Sequence, residues 1–546
     1  MVAFHAITSL VARAVIAWSA CATAQPFPDL IDASIDDIRL GLENKIFTSV
    51  DLVTTYLARI AEVNAELKAV TEVNPDALDI AKALDAERAQ GTVRGPLHGI
   101  PILIKNNIAT LDKMNNTAGS LALLGARVPR DAFVAARLRT AGAVLLGKAN
   151  LSQWANFRSS NSSNGWSAHG GQVRAAYARD QDPSGSSSGS GVAAALGLAA
   201  ACLGTETDGS ILSPSHRNNV VGIKPTVGLT SRDLVIPISE HQDTVGPIAR
   251  SVRDAAYVLQ AIAGPDVNDN YTAAIPSGIP VLPDYVAACD KGALRGARLG
   301  VPGNVIELFL DFDAGYQTEV DAFLSAVTLI GGAGATVVQN ANFTNLTEWA
   351  NSTAEGAVLR ADFITNLASY LAKLTSNPNN ITSLADVLAF TQKVAPKLEE
   401  FPNRDTATWD QALDPQTGFN NTDPRFFPQL LENRFLGGEG GLFGALDRYQ
   451  LDAILLPTSL ASGFAAIVGA PAVTVPLGFY PVGAPVVRNA RGDLVDTGPN
   501  VPFGLSFLGR SFSEAKLIGF AYAFEQATGT RAKLRPYLVP KTEVRS

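Results

Sequence analysis

The chain has 546 residues, enough for several domains or for one large α/β enzyme. With 47% hydrophobic and 17% charged residues, 47 Gly and 31 Pro, the composition excludes a mainly disordered or fibrous protein. Forty-three basic against 51 acidic residues give a net charge of −8 without a Lys/Arg cluster, which argues against nucleic acid, and three cysteines exclude a disulfide framework or a Cys-rich metal centre.

At the N-terminus, the apolar stretch Ala14 to Trp18 and the small-residue run Ala22-Thr23-Ala24 predict a secretory signal over residues 1–24, cleaved before Gln25. Residues 25–546 are then expected to form one domain in a secreted or lumenal protein; without cleavage the chain would be cytoplasmic. Asn-x-Ser/Thr acceptors at Asn115, Asn150, Asn161, Asn270, Asn342, Asn345, Asn351, Asn380 and Asn420 suit a glycoprotein. Cleavage would remove Cys21 and leave Cys202 and Cys289. No apolar run reaches the length of a membrane span, and the longest, Gly191 to Leu203, reads as a buried helix carrying Cys202 as a small core residue.

Thr48-Ser49 caps a helical pattern at Val50, Val53, Tyr56, Leu57 and Ile60, and a second helix starts after Asn74-Pro75. In Gly95 to Asn107, Pro and Gly lead into Ile102-Leu103-Ile104, a buried strand that ends at Lys105. Ala141 to Asn150, Ala297 to Gly303 and Asp452 to Thr458 continue the alternation of strands with helices and indicate an α/β architecture. Residues 344–437 read as a helical excursion over one side of the core.

The segment from Asp182 to Gly228 carries the chemistry. A Ser/Gly loop opens directly onto an apolar stretch, and a second tight Gly-Ser turn follows, preceded by Glu206 and Asp208. A flexible linker would have neither feature. Ser184-Gly185-Ser186-Ser187-Ser188-Gly189-Ser190 and Gly204-Thr205-Glu206-Thr207-Asp208-Gly209-Ser210-Ile211 resemble the serine loop and nucleophile turn of the amidase signature family, and the family's lysine falls on Lys105. The likeness continues through Lys224-Pro225-Thr226, Gln242-Asp243-Thr244-Val245-Gly246-Pro247, Pro471 to Pro476 and Phe524-Glu525-Gln526. It implies a central mixed β-sheet covered by helices on both faces. It also implies an amidase that cleaves a carboxamide through an acyl-serine without metal or organic cofactor. The implied roles are Ser210 as nucleophile, Ser186 as bridging serine and Lys105 as base, with a small-molecule or peptide amide as substrate.

The residue chemistry agrees. A serine hydroxyl needs a base within hydrogen-bond reach, and a lysine can serve when desolvation holds it neutral. Backbone N–H groups of Thr207, Asp208, Gly209 and Ser210 are placed to hold a developing oxyanion. Ser184 and Ser188 depart from family glycines, as does Asp208; Asn106 replaces an aspartate, and Leu212 replaces an arginine, which argues against a glutamine-specific transamidase subunit. Three alternatives stay open. Gly185 to Gly189 satisfies the G-x-S-x-G pattern, which would make Ser187 the nucleophile of an α/β-hydrolase, although no histidine follows His241 and ARDQDP before it is a poor strand. The acyl-enzyme could pass its acyl group to an acceptor other than water, or the fold could be catalytically silent. His98, His169, His216 and His241 lack metal-ligand spacing. Trp154, Phe157 and Trp166 are expected either to shape an apolar pocket or to belong to the core.

Overall fold

The computed structural model describes residues 27–276 and 282–544, so the expected signal segment lies outside it. Among the described residues, eleven strands form one mixed sheet: β1 (Val70–Val73), β2 (Pro101–Lys105), β3 (Val144–Ala149), β4 (Ala201–Glu206), β5 (Val221–Lys224), β6 (Thr244–Ala249), β7 (Arg298–Val301), β8 (Thr336–Gln339), β9 (Ala453–Pro457), β10 (Ala472–Phe479) and β11 (Pro502–Leu508). Their spatial order is β1-β3-β2-β4-β6-β5-β10-β11-β9-β7-β8. β2 runs parallel to both β3 and β4, whereas β6, β5, β10, β11 and β9 follow one another antiparallel. Every residue of β2, β3, β4 and β6 is buried, so both faces of this part of the sheet are covered. No helix among the described residues is long and apolar enough to cross a membrane.

The expected local structure forms where the residues dictate it. Thr48 and Asp51 close a reciprocal capping box on helix Ser49–Leu67, whose Val53, Tyr56 and Ile60 enter the core while Val50 and Leu57 pack at its margin. The run from Gly191 to Leu203 is not one helix. Helix Ser188–Ala195 stops, Gly197 turns with φ of +60°, and the chain re-enters as β4, so Cys202 lies in a strand. Composition alone cannot separate the two because both are wholly buried; the left-handed glycine decides it. Cys202 and Cys289 are both free thiols.

Between β8 and β9 the helical excursion contributes helices Leu346–Asn351, Ala354–Leu371, Leu384–Ala389, Ala407–Ala412 and Phe426–Gly437. It is pinned by aromatic contacts. Trp154 meets Trp409 edge-on at 6.0 Å, Phe157 meets Phe363 at 5.1 Å, and the Arg404 guanidinium lies 4.4 Å from the Trp166 ring centre. These aromatics therefore serve as packing residues that fix the excursion.

A Cβ on Gly197 would stand 2.5 Å from the Leu30 carbonyl oxygen in addition to the strain of its positive φ. Gly197→Ala is expected to lower stability by about 2 kcal/mol or more, read from the urea midpoint.

Candidate active site

β2 and β4 run parallel and adjacent, so their carboxyl ends emerge at the same edge, where α/β sheets commonly place reactive groups. Lys105 closes β2. Its Nζ lies within hydrogen-bond distance of Ser186 Oγ at 2.8 Å, Ser187 Oγ at 3.0 Å, Thr205 Oγ1 at 2.9 Å and the Thr205 carbonyl at 3.2 Å. Among the described residues no carboxylate touches it. Burial lowers the Lys105 pKa to about 7 against the weaker opposing fields of Asp243 and Glu206.

Ser186 and Ser187 come from the loop that enters helix Ser188–Ala195, and the Gly185-Ser186 peptide is cis. Ser187 Oγ is fully buried and donates to the Thr205 carbonyl at 3.0 Å while accepting from the Thr205 N–H at 3.2 Å. A hydroxyl committed in this way cannot attack a substrate, and no strand precedes the loop as a nucleophile elbow would need. Ser187 N–H also donates to the Ser210 carbonyl at 3.2 Å, which holds the two serine segments side by side.

Residues 207–210 form the turn after β4. Glu206 Oε2 accepts the N–H groups of Ile211 at 2.6 Å and Leu212 at 2.9 Å, and so draws the chain back on itself. Thr207 Oγ1 donates to Asp243 Oδ1 at 2.6 Å, while Asp243 Oδ2 accepts from Ile238 N at 2.8 Å and Ser239 N at 3.1 Å. Gly209 has φ of +75°, and a Cβ there would meet Ser213 Oγ at 2.8 Å. Among the described residues the N–H groups of Thr207, Asp208, Gly209 and Ser210 have no acceptor, and Ser210 Oγ has no protein partner. The Ser210 side chain is only slightly exposed at the turn.

The structure brings Lys105 and Ser186 into contact and sets the Ser210 turn beside the Ser187 backbone, with the Asp208 side chain directed toward Ser462. Three contributors were not legible beforehand: Thr205 as a double partner of Lys105, Glu206 as the clamp of the turn, and Asp243 as the anchor of Thr207. Glu206 and Asp243 stood in the quoted motifs, but only their contacts reveal the role. Asn106 accepts the Thr117 N–H at 3.0 Å and is fully buried, as is Leu212, so both departures from the family pattern serve packing. The histidines disperse, apart from His241, whose Nδ1 lies 2.7 Å from Asp362 Oδ2 with Glu240 nearby; Ser239 and Asn421 already donate to that carboxylate.

Comparison with known proteins points to amide hydrolysis. The family model described as Amidase matches residues 51–518. A protein of Arthroderma benhamiae named "Putative amidase" is 55% identical over 539 residues, covering 95% of this chain and 89% of its own. A glutamyl-tRNA(Gln) amidotransferase subunit of Moorella thermoacetica is 32% identical over 509 residues, covering 89% of this chain and 95% of its own. The crystal structure of peptide amidase from Stenotrophomonas maltophilia superposes with a TM-score of 0.81 at 40% identity, covering 95% of this chain and all of that one.

Burial raises the Glu206 pKa, so an uncharged isostere can keep its two backbone contacts. Glu206→Gln is expected to retain native stability, whereas Glu206→Leu, which strands two buried N–H groups, loses about 2–4 kcal/mol in a urea titration.

Proposed function

This chain belongs to the amidase family and hydrolyses amide C–N bonds, and we propose that it does so through an acyl-enzyme on Ser210, with Ser186 as bridging hydroxyl and Lys105 as base. The observation that carries the reading is the buried 2.8 Å contact between Lys105 Nζ and Ser186 Oγ beside a turn of free N–H groups. A neutral lysine has two N–H donors and one lone pair. With the donors on Ser187 Oγ and the Thr205 carbonyl, the lone pair is left for the Ser186 proton. Ser186 then takes the Ser210 proton as Ser210 Oγ bonds to the substrate carbonyl carbon. The resulting oxyanion is held by the N–H groups of residues 207–210, one such donor being worth about 3 kcal/mol. Collapse breaks the C–N bond, and the Lys105 proton returns through Ser186 to the departing amine. Water repeats the sequence on the acyl-serine and releases the carboxylate. The 40% identity to peptide amidase supports a peptide or aminoacyl amide as substrate class.

The secretory reading rests on the Ala22-Thr23-Ala24 run and on sequon exposure. Asn161, Asn270, Asn351, Asn380 and Asn420 are exposed, whereas Asn150 is buried and its Nδ2 donates to the Lys68 carbonyl at 2.9 Å.

Ser210→Ala is expected to abolish turnover without unfolding the protein, and an active-serine probe should label Ser210; labelling of Ser187 instead would transfer the case to the α/β-hydrolase reading. Because the base acts only when neutral, kcat/KM should fall as pH drops through about 7, where burial holds Lys105. Lys105→Arg should stay inactive in single-turnover acylation, since guanidinium cannot accept the proton. In a eukaryotic secretory host the product is expected to begin at Gln25 and to lose mass on deglycosylation, with glycopeptides from the exposed sequons and none from Asn150.

A further inference from the structure

Near the nucleophile turn stand groups that the relay does not use. Asp208, two residues before Ser210, has an accessible side chain. A point one Cβ above Gly463 lies 3.0 Å from the Trp349 ring and 3.9 Å from Asp208 Oδ2, so the carboxylate and the indole flank the same point. Trp349 in turn lines a cavity of about 220 Å³ whose wall includes Glu355, Asn433 and Leu436. Glu355 sits in the first turn of helix Ala354–Leu371. Gln242 Nε2 donates to Glu355 Oε1 at 2.8 Å and lies 3.4 Å from the Thr207 carbonyl, which ties the cavity wall to the turn.

Neither carboxylate forms an ion pair among the described residues. The cation whose field reaches Asp208 is Lys224, which is buried, donates to the Ala470 carbonyl at 2.8 Å and already answers Glu206 and Glu514. A second observation is independent of the charges. Asn433 is 2% exposed, lines the cavity, and its Nδ2 has no hydrogen-bond partner. A buried donor without a partner, on a residue in a cavity wall, leaves a hydrogen bond that a ligand acceptor can supply.

We propose that Asp208, Glu355, Asn433 and Trp349 form a subsite for a cationic side chain on the acyl residue of the substrate, of the kind carried by an Nα-acylated lysine or arginine amide. The cation lies against Glu355 and Asp208, its aliphatic stem lies on the Trp349 ring, and the Asn433 amide donates to the carbonyl oxygen of the Nα-acyl group. Burial, with a further push from the charge of Asp208, raises the Glu355 pKa to about 8. A cation beside it favours the ionised carboxylate. The proposal rests on the acyl-Ser210 reading only for the position of the scissile amide.

The test compares ammonia release from Nα-acetyl-lysinamide and from its neutral isostere Nα-acetyl-norleucinamide, alongside calorimetric binding of both to Ser210→Ala. Wild type is expected to favour the lysyl amide by about tenfold in kcat/KM, Ser210→Ala to bind it more tightly by a similar factor, and Glu355→Gln to cut the preference by about fivefold or more. Asn433→Leu should raise KM for both amides alike. Equal kcat/KM for the two amides in wild type, or a ratio unmoved in Glu355→Gln, overturns the subsite and leaves the acyl-enzyme intact. Absence of ammonia release from every amide, with lysyl preference retained in binding to Ser210→Ala, would instead sink the acyl-enzyme and keep the subsite. Loss of preference in both assays removes the proposal outright.

Discussion

A desolvated amine at the end of β2 sets the conditions for everything around it. Lys105 is fully buried, and the oxygens that surround its Nζ are hydroxyls and a carbonyl, not carboxylates. That choice keeps the charged form unfavourable and so leaves a lone pair near neutral pH. Two other buried lysines show what the alternative surroundings do. Lys224 lies in the fields of Glu206 and Glu514 and falls only to about 8, while Lys148 falls to about 7 but spends its Nζ on the Ile108 carbonyl and the Asn116 amide. Lys105 combines a comparably lowered pKa with serine hydroxyls in reach.

The turn that follows β4 answers the base with open donors. Four consecutive N–H groups without acceptors would be costly in an ordinary buried loop. Here the cost is borne by contacts at both ends: Glu206 clamps the exit of the turn, and Asp243 anchors its start through Thr207. In the proposed mechanism these prearranged donors need little reorganisation when negative charge develops. Residues Trp154, Ala155 and Asn156 nearby also hold positive φ, and Trp154 is locked by Trp409 and Phe363. The helical excursion therefore stabilises backbone that would not hold this shape alone.

The excursion has a second consequence. It supplies Glu355 and Asn433 to the cleft, while the sheet supplies Lys105 and the serine loops. In the proposed relay and subsite, reaction and recognition come from different parts of the chain, so the helical segment can alter what is recognised without disturbing the relay.

By itself the sequence determined the α/β class, the strand that ends at Lys105, and the two serine segments, because a strand's apolar run and a Gly-Ser turn are local features with distinctive residues. It misread Gly191 to Leu203 as one helix, since a buried helix and a buried strand have the same composition and Gly197 decides between them only through its conformation. It did not assign the partners of Lys105 beyond Ser186, because Ser187 and Thr205 face the amine only once β2 and β4 lie side by side. Nor did it pair Asp208 with Glu355 or separate exposed sequons from the buried one at Asn150. Each of those depends on which distant segments meet, and the desolvation that keeps a lysine neutral near pH 7 exists only after the surrounding strands and loops have excluded water.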